Sequence, residues 1–144
     1  TLITSSAASD VYKRQGCALA LEAIDIIINE KMIENVRHLE PIFMGGLKNF
    51  EDLEFIGESR GIGLMGALEM VQDKKNKLPF DGSISIGERV ANKCIENGLI
   101  CRPLGPSIVL CPPFITSEEE MGIIFDTLEK TLKEVFSEVK SLGQ

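Results

Sequence analysis

The sequence predicts an α+β domain, in which a small, mainly antiparallel sheet carries helices packed on one face. Short apolar runs bounded by glycine and proline are typical of buried strands, and they lie at Phe55–Ser59, Ile62–Val71, Leu99–Cys101 and Ile108–Cys111. Segments with apolar residues at three- and four-residue steps flank these runs and are typical of helices. The order helix, two strands, helix, two strands, helix favours one sheet covered by helices.

The first predicted helix begins at Cys17, within a segment whose apolar residues recur with helical spacing. Pro41 removes one backbone donor, so we expect the helix to kink or restart there and to end before Glu51. The residues that define its apolar face are Leu21, Ile24, Ile28, Met32, Val36 and Leu39.

Two further helices are predicted from their end signals. Ser83 or Ser85 is expected to cap the second, which ends at Asn97–Gly98 because glycine suits the left-handed position after a helix. The last helix is expected to open at Thr116, with Glu119 three residues on completing a capping box.

Composition limits the classes of function. A chain of 144 residues with 44% hydrophobic residues can bury the core of a single domain, and its net charge of −7 disfavours nucleic acid and anionic membranes as partners. No apolar run reaches the ~20 residues that span a bilayer. His38 is the only histidine and is expected at the surface, with no metal site. The cysteines lack metal-ligand spacing and are expected to be small buried residues of a reducing, cytoplasmic setting: Cys17, Cys94, Cys101 and Cys111.

Arg102 is the one candidate binding residue. It stands where an apolar run ends, beside a turn formed by Pro103, Gly105 and Pro106. A guanidinium held there is suited to bidentate binding of a carboxylate. The alternative is a surface arginine paired with one of the many acidic residues.

Three segments together resemble class III aminotransferases. Gly16–Asp25 is similar to the start of the family's long helix, and Arg60–Glu69 to its Arg-Gly-x-Gly-Leu-Met-x-x-x-Glu strand. Arg102–Phe114 is similar to its C-terminal segment, and the likeness is closest to omega-amine:pyruvate transaminases. In this order and spacing, the motifs are far more specific than each is alone.

The resemblance implies that residues 16–144 are the C-terminal small domain of a fold type I enzyme that uses pyridoxal phosphate and works as a homodimer. The lysine that forms the Schiff base in the family lies outside this chain, as does the Gly-His-Pro stretch near the phosphate-binding threonine. The resemblance therefore assigns no catalytic and no cofactor-binding residue here, and we expect the chain alone to be inactive.

The resemblance also bears on substrate class. Ornithine and acetylornithine enzymes of the class carry an arginine on the strand just before the Pro-Pro pair, where this chain has Val109. Omega-amine enzymes use an arginine at the place of Arg102, which swings in to pair with a carboxylate and out for an uncharged substituent. This implies an amine or omega-amino acid donor and a keto acid acceptor such as pyruvate.

Residues 1–15 show no such likeness and are expected to be a non-native tail or a disordered native leader. Two other classes of function stay open from the sequence. The chain could be a free-standing binding or dimerisation module without catalytic activity. It could also be a regulatory domain that holds an amino acid through Arg102.

Overall fold

The computed structural model describes residues 3–141, with side chains described from residue 11 to residue 141. Two compact units make up the chain, Thr1–Asn35 and Val36–Gln144. The helices and strands are α1 (Ile3–Asn29), α2 (Met32–Asn49), β1 (Ile56–Ile62), β2 (Met65–Met70), α3 (Ile86–Glu96), β3 (Arg102–Leu104), β4 (Ser107–Leu110) and α4 (Glu118–Ser141).

The first unit is dominated by α1, and here the prediction of one helix from Cys17 onward was wrong. The helix begins at Ile3 and ends at Asn29. The helical conformation is interrupted after it, because Lys31 adopts a left-handed conformation with φ 51°. A positive φ cannot continue the α-helical hydrogen-bond ladder, so α2 starts afresh at Met32. The expected apolar positions Leu21, Ile24 and Ile28 of α1 are exposed. That residues 1–15 are a non-native tail or a native leader stays a prediction.

The remainder of α2 lies in the second unit and includes Pro41 without a restart. Pro41 removes one backbone hydrogen bond from the helix, but residues before and after it are buried in the core. Leu39, Phe43 and Leu47 are each at most 1% exposed and form one stripe of the helix. Their burial holds α2 together across the proline.

All four strands form one antiparallel sheet in the order β1-β2-β4-β3, which confirms the predicted fold class. One face is in the core, because Leu68 and Ile108 lie opposite each other and are fully buried. Gly66 lies on this face, where an added Cβ would clash with Phe43 and Leu47 of α2. Buried residues of α2, α3 and α4 complete the same core, so these helices cover one face and leave the other open.

The first hairpin turns later than the sequence predicted. β1 continues through Arg60 and Gly61 to Ile62, and the turn falls at Gly63, whose φ is 56°. Gly61 lies directly opposite Gly66, and a Cβ there would reach 3.0 Å from the Gly66 Cα. The absence of side chains lets the two backbones pair without a break.

The second hairpin also differs from the prediction. Leu99–Cys101 are outside the sheet, and β3 starts at Arg102 instead. Leu104 pairs with Ser107, so the two-residue turn between them begins with Gly105 at φ 59°. Pro103 therefore lies within β3, where it is tolerated because this strand is at the sheet edge.

The helix caps are shifted relative to the prediction. Neither candidate serine caps α3 with its side chain. Ser85 occupies the N-cap position of the helix, but it has a φ of 48° and its side chain makes no capping hydrogen bond. The capping box of α4 is one residue later than expected, because Ser117 and Glu120 each bond the other's backbone N–H. Gly98, with φ 88°, follows the end of α3 as predicted. Within residues 3–141, no helix is long and apolar enough to cross a bilayer.

Candidate functional site

Arg102 is the first residue of β3, and its side chain is exposed. Its backbone lies directly opposite Val109 of β4. Val109 is half-buried, whereas its neighbours in the strand, Ile108 and Leu110, are both buried. Strand side chains alternate between faces, so Arg102 and Val109 lie on the open face of the sheet.

The pairing register extends this position into a row across the whole sheet. Val109 is opposite Ala67 of β2, and Ala67 is opposite Arg60 of β1. Because neighbouring strands are ~4.8 Å apart, the Cα atoms of Arg60 and Arg102 are roughly 14 Å apart at the two ends of the row. The open face thus has an arginine at each edge and small or medium apolar side chains between them.

The two arginines differ in their electrostatic surroundings. Arg60 Nη1 donates to Glu69 Oε2 at 2.7 Å and lies 3.8 Å from Glu58 Oε2. Among the described side chains, Arg102 forms no ion pair and no hydrogen bond. In a chain with 22 acidic residues, this leaves the Arg102 guanidinium available for an external carboxylate.

Exposed apolar side chains border part of this row, while Glu58 and Glu69 border it beside Arg60. Ile62 and Met65, which face each other at the ends of the first hairpin, are 71% and 60% exposed, and Leu104 of β3 is 64% exposed. Burying these side chains against another surface would exclude water from the Arg102 guanidinium and strengthen its pairing with an anion. The open face suits a ligand with one carboxylate and an apolar remainder.

The lysines of the chain do not fit a covalent anchor for pyridoxal phosphate. Such an amine must be desolvated so that it loses its proton near neutral pH. Of the ten lysines, all but Lys93 are exposed. A hydrogen bond to Glu96 raises the pKa of Lys93, which is the wrong direction for a Schiff base. Among residues 11–141, no lysine has the desolvated surroundings that a Schiff base requires.

His38 is at the surface, as predicted, and its Nε2 lies 2.7 Å from Glu118 Oε1. No group of three or more potential metal ligands lies together in the part of the chain that the structure describes. The cysteine prediction was wrong for two residues, since Cys17 and Cys111 are exposed. Both residues are flanked by apolar residues in the sequence, but this context does not determine burial. Cys17 is on the exposed α1, and Cys111 lies just beyond the end of β4.

The prediction of small buried cysteines is confirmed for Cys94, which is fully buried, and in part for Cys101, which is half-buried against the same core. Interaction with the side chain of Cys101 lowers the pKa of Cys94, and interaction with Cys94 together with burial raises the pKa of Cys101. Between the two residues the chain reverses at Gly98, and the Leu99 N–H donates to the Cys94 carbonyl oxygen at 2.8 Å.

Comparison with known proteins relates this fold to one enzyme family. The family described as aminotransferase class-III matches residues 15–132. An adenosylmethionine-8-amino-7-oxononanoate aminotransferase from Methanocaldococcus jannaschii is 36% identical, over 82% of this chain and 26% of its own length. A gamma aminobutyrate transaminase from Solanum lycopersicum is also 36% identical, over 88% of this chain and 24% of its own.

Solved structures agree with this relationship. An omega-transferase from Vibrio fluvialis JS17 has a TM-score of 0.86 and 57% identity, covering 88% of this chain and 30% of that one. An omega-aminotransferase from Paracoccus denitrificans has a TM-score of 0.84 and 59% identity, covering 86% of this chain and 28% of that one. The chain spans about a quarter of the length of the curated relatives that it matches. It belongs to the class III aminotransferase family.

Proposed function

We propose that this chain is the C-terminal part of a pyridoxal-phosphate-dependent aminotransferase that moves an amino group from an amine or omega-amino acid to a keto acid such as pyruvate. The family match supports the reaction class, and the omega-aminotransferase from Paracoccus denitrificans supports an enzyme of the omega-transaminase type. A form of the Vibrio fluvialis aminotransferase is described as PMP-bound, which supports the cofactor.

The observation that carries the substrate class is the unpaired Arg102 on the open face of the sheet. A guanidinium without an internal carboxylate can bind the carboxylate of a keto acid or an omega-amino acid through two parallel hydrogen bonds. The same side chain is long and exposed, so it can turn away when a donor presents an uncharged substituent. Val109 opposite it brings no second charge to compete for the ligand.

In this proposal the segment contributes substrate binding, and the rest of the enzyme contributes the cofactor anchor and the catalytic lysine. The edge position of β3 lets the Arg102 side chain move, while Pro103 and the backbone pairing with β4 fix its Cα. We further propose a cytoplasmic homodimer for the full-length enzyme and no activity for the chain alone.

A chimeric enzyme tests the proposal. Residues 15–144 would replace the matching segment of the Paracoccus denitrificans omega-aminotransferase, which is 59% identical over the compared region. We expect the chimera to bind pyridoxal phosphate and to transfer amino groups from an arylalkyl amine to pyruvate. A folded, cofactor-loaded chimera without this activity would contradict the proposal. Binding of a free amino acid by the isolated, monomeric chain would instead support a free-standing binding module.

A further inference from the structure

We propose that Asn97 is a site of spontaneous deamidation, and that the packing of α3 against α4 controls how fast it reacts. This proposal is independent of the proposed enzymatic function, because it concerns only the folded chain, the peptide bond between Asn97 and Gly98, and water.

The sequence around Asn97 favours attack on its side chain by the next backbone nitrogen. Of the six asparagines in the chain, only Asn97 precedes a glycine. Gly98 is exposed, and a Cβ added there would meet no described atom within 4 Å. Its nitrogen is therefore unhindered, and the freedom of the glycine backbone lets it reach a cyclic geometry. The other asparagines are followed by residues with bulky side chains, so Asn97 has the highest intrinsic reactivity.

The native contacts of Asn97 hold its side-chain amide against α4. Asn97 Nδ2 donates to Thr131 Oγ1 at 3.0 Å and to Glu134 Oε2 at 3.2 Å. Its Oδ1 accepts from Lys130 Nζ at 3.1 Å. Thr131 is fully buried, and its hydroxyl donates in turn to the Thr127 carbonyl oxygen at 2.8 Å. Both ends of the amide are thus held, on one side by a side chain that is itself fixed in the core.

The backbone at Asn97 is also held in an unreactive conformation. Its ψ is 4°, so the Gly98 nitrogen is nearly eclipsed with the Asn97 nitrogen and is turned away from the side chain. Ring closure requires a large rotation about the Asn97 Cα–C bond. This rotation would disrupt the bonds of the Gly98 N–H to the Ile95 carbonyl oxygen at 3.0 Å and of the Leu99 N–H to the Cys94 carbonyl oxygen at 2.8 Å. The reaction therefore requires local opening at the end of α3.

Once this segment opens, the reaction has two steps. The Gly98 nitrogen attacks Asn97 Cγ and forms a new C–N bond, while the Cγ–Nδ2 bond breaks and the amide leaves as ammonia with the proton from the Gly98 N–H. Water then adds to one of the two carbonyl groups of the resulting succinimide. Opening at Cγ gives aspartate, and opening at the backbone carbonyl carbon gives isoaspartate. Neither step involves oxidation or reduction.

The products would not restore the contacts with α4. A carboxylate at position 97 has no N–H to donate, and its charge would lie beside Glu134 Oε2, which now accepts from the amide. Isoaspartate also inserts the side-chain methylene into the main chain, in the link that leads from α3 to β3. Deamidation would therefore weaken the α3–α4 interface irreversibly.

The full 144-residue chain tests the proposal. The folded chain and the chain in urea would be incubated in mildly alkaline, heavy-oxygen water, and position 97 followed by peptide mapping with mass spectrometry. We expect aspartate and isoaspartate, each with one solvent oxygen, to form roughly 10-fold or more faster in urea than in the folded chain. Equal rates in the two states would overturn the proposal, as would aspartate without isoaspartate, which indicates direct hydrolysis, or no reaction in urea.

Two variants remove the contacts of the amide with α4. Thr131→Val and Glu134→Ala should each speed deamidation of the folded chain roughly 2- to 10-fold, the factor by which losing one hydrogen bond raises the open population, and should leave the rate in urea unchanged. Glu134 is only half-buried, which keeps the test informative if Thr131→Val does not fold.

Glu129→Ala is the matched control. It removes another carboxylate of α4, one that pairs with Lys133, and should react at the rate of the unsubstituted chain. Circular dichroism and a urea transition establish that each variant is folded. If the folded Glu134→Ala chain reacted no faster than this control, the contacts with α4 would not control the reaction and the proposal would be wrong.

Discussion

Arg102 and Val109 lie directly opposite each other on β3 and β4, on the face of the sheet that the helices leave open. The opposing valine cannot pair with the guanidinium, and no described carboxylate does so. At the far end of the same cross-strand row, Arg60 is held by Glu69 at 2.7 Å. One sheet face thus carries a paired arginine and a free one.

Replacing Arg102 should discriminate between the two half-reactions of the chimeric enzyme. A hydrogen-bonded pair with a charged group is worth about 1.5–3 kcal/mol, so Arg102→Ala should lower kcat/KM for pyruvate roughly 10- to 100-fold. The half-reaction with an arylalkyl amine should change little, because that donor has no carboxylate. Arg102→Lys should restore only part of the loss, since an ammonium lacks the bidentate fork. Single-turnover kinetics of each half-reaction provides the measurement.

Arg60→Ala is the matched control for losing a positive charge from the same sheet face. Because Arg60 is already paired with Glu69, we expect any effect of this change to be equal for amine and keto acid. Equal losses for both substrates in Arg102→Ala would remove Arg102 from the binding site.

Introducing a carboxylate opposite Arg102 should weaken keto acid binding. Val109→Glu would place an acidic side chain at the cross-strand position, where opposite-charge pairs contribute roughly 0.2–1 kcal/mol. We therefore expect KM for pyruvate to rise by about 1.5- to 5-fold at ~1.4 kcal/mol per tenfold. Val109→Gln has a similar size without the charge, and an equal rise in KM with this variant would argue against competition by an ion pair.

The isolated chain should not bind pyridoxal phosphate covalently at one specific lysine. Nine of the ten lysines are exposed, and the pKa of the half-buried Lys93 is raised by its hydrogen bond to Glu96. With one equivalent of cofactor, the absorbance of a lysine Schiff base should be no stronger for the folded chain than for the chain in denaturant. A stronger band that one lysine substitution abolishes would contradict this expectation.

The chain should self-associate when produced alone. Leu19, Leu21 and Ile28 of α1 are between 65% and 71% exposed, and Ile62 and Met65 leave a second apolar area on the sheet. Monomeric proteins rarely expose continuous apolar patches beyond a few hundred Å2. Sedimentation velocity at increasing protein concentration should show a rising weight-average sedimentation coefficient. A concentration-independent monomer with a sharp melting transition would oppose this prediction.

Acid should destabilise the second unit in a pH range set partly by Glu51. The hydrogen bonds from Lys48 and Ser59 lower the pKa of Glu51 from 4.5 to about 2 in the folded state. A depressed folded-state pKa contributes stability above pH 4.5, and this contribution is lost as the pH falls toward about 2.

Urea unfolding between pH 7 and pH 2 measures this contribution. Glu51→Gln should lower the free energy of unfolding at pH 7 and flatten its fall below pH 4.5. Asp126→Asn, on the exposed side of α4, is the control and should leave the pH profile unchanged. If the profile of Glu51→Gln kept the slope of the unsubstituted chain, the Glu51 hydrogen bonds would not contribute to acid stability.

The sequence by itself determined most of the elements and their order, because apolar periodicity and glycine and proline punctuation act within a few residues. It missed the break between α1 and α2 at Lys31. It also indicated the family through three motifs, and it singled out Arg102 beside a turn. The end of α3 at Gly98 and the α+β class were predictable for the same local reason.

Tertiary structure decided where the strands begin and which residues share a face. β3 starts at Arg102 and not at Leu99, because pairing with β4 sets the register and Gly105 makes the turn. The row from Arg60 to Arg102 depends on that register across all four strands. Local propensity cannot predict such pairings, because their free energy comes from contacts between segments that only folding brings together.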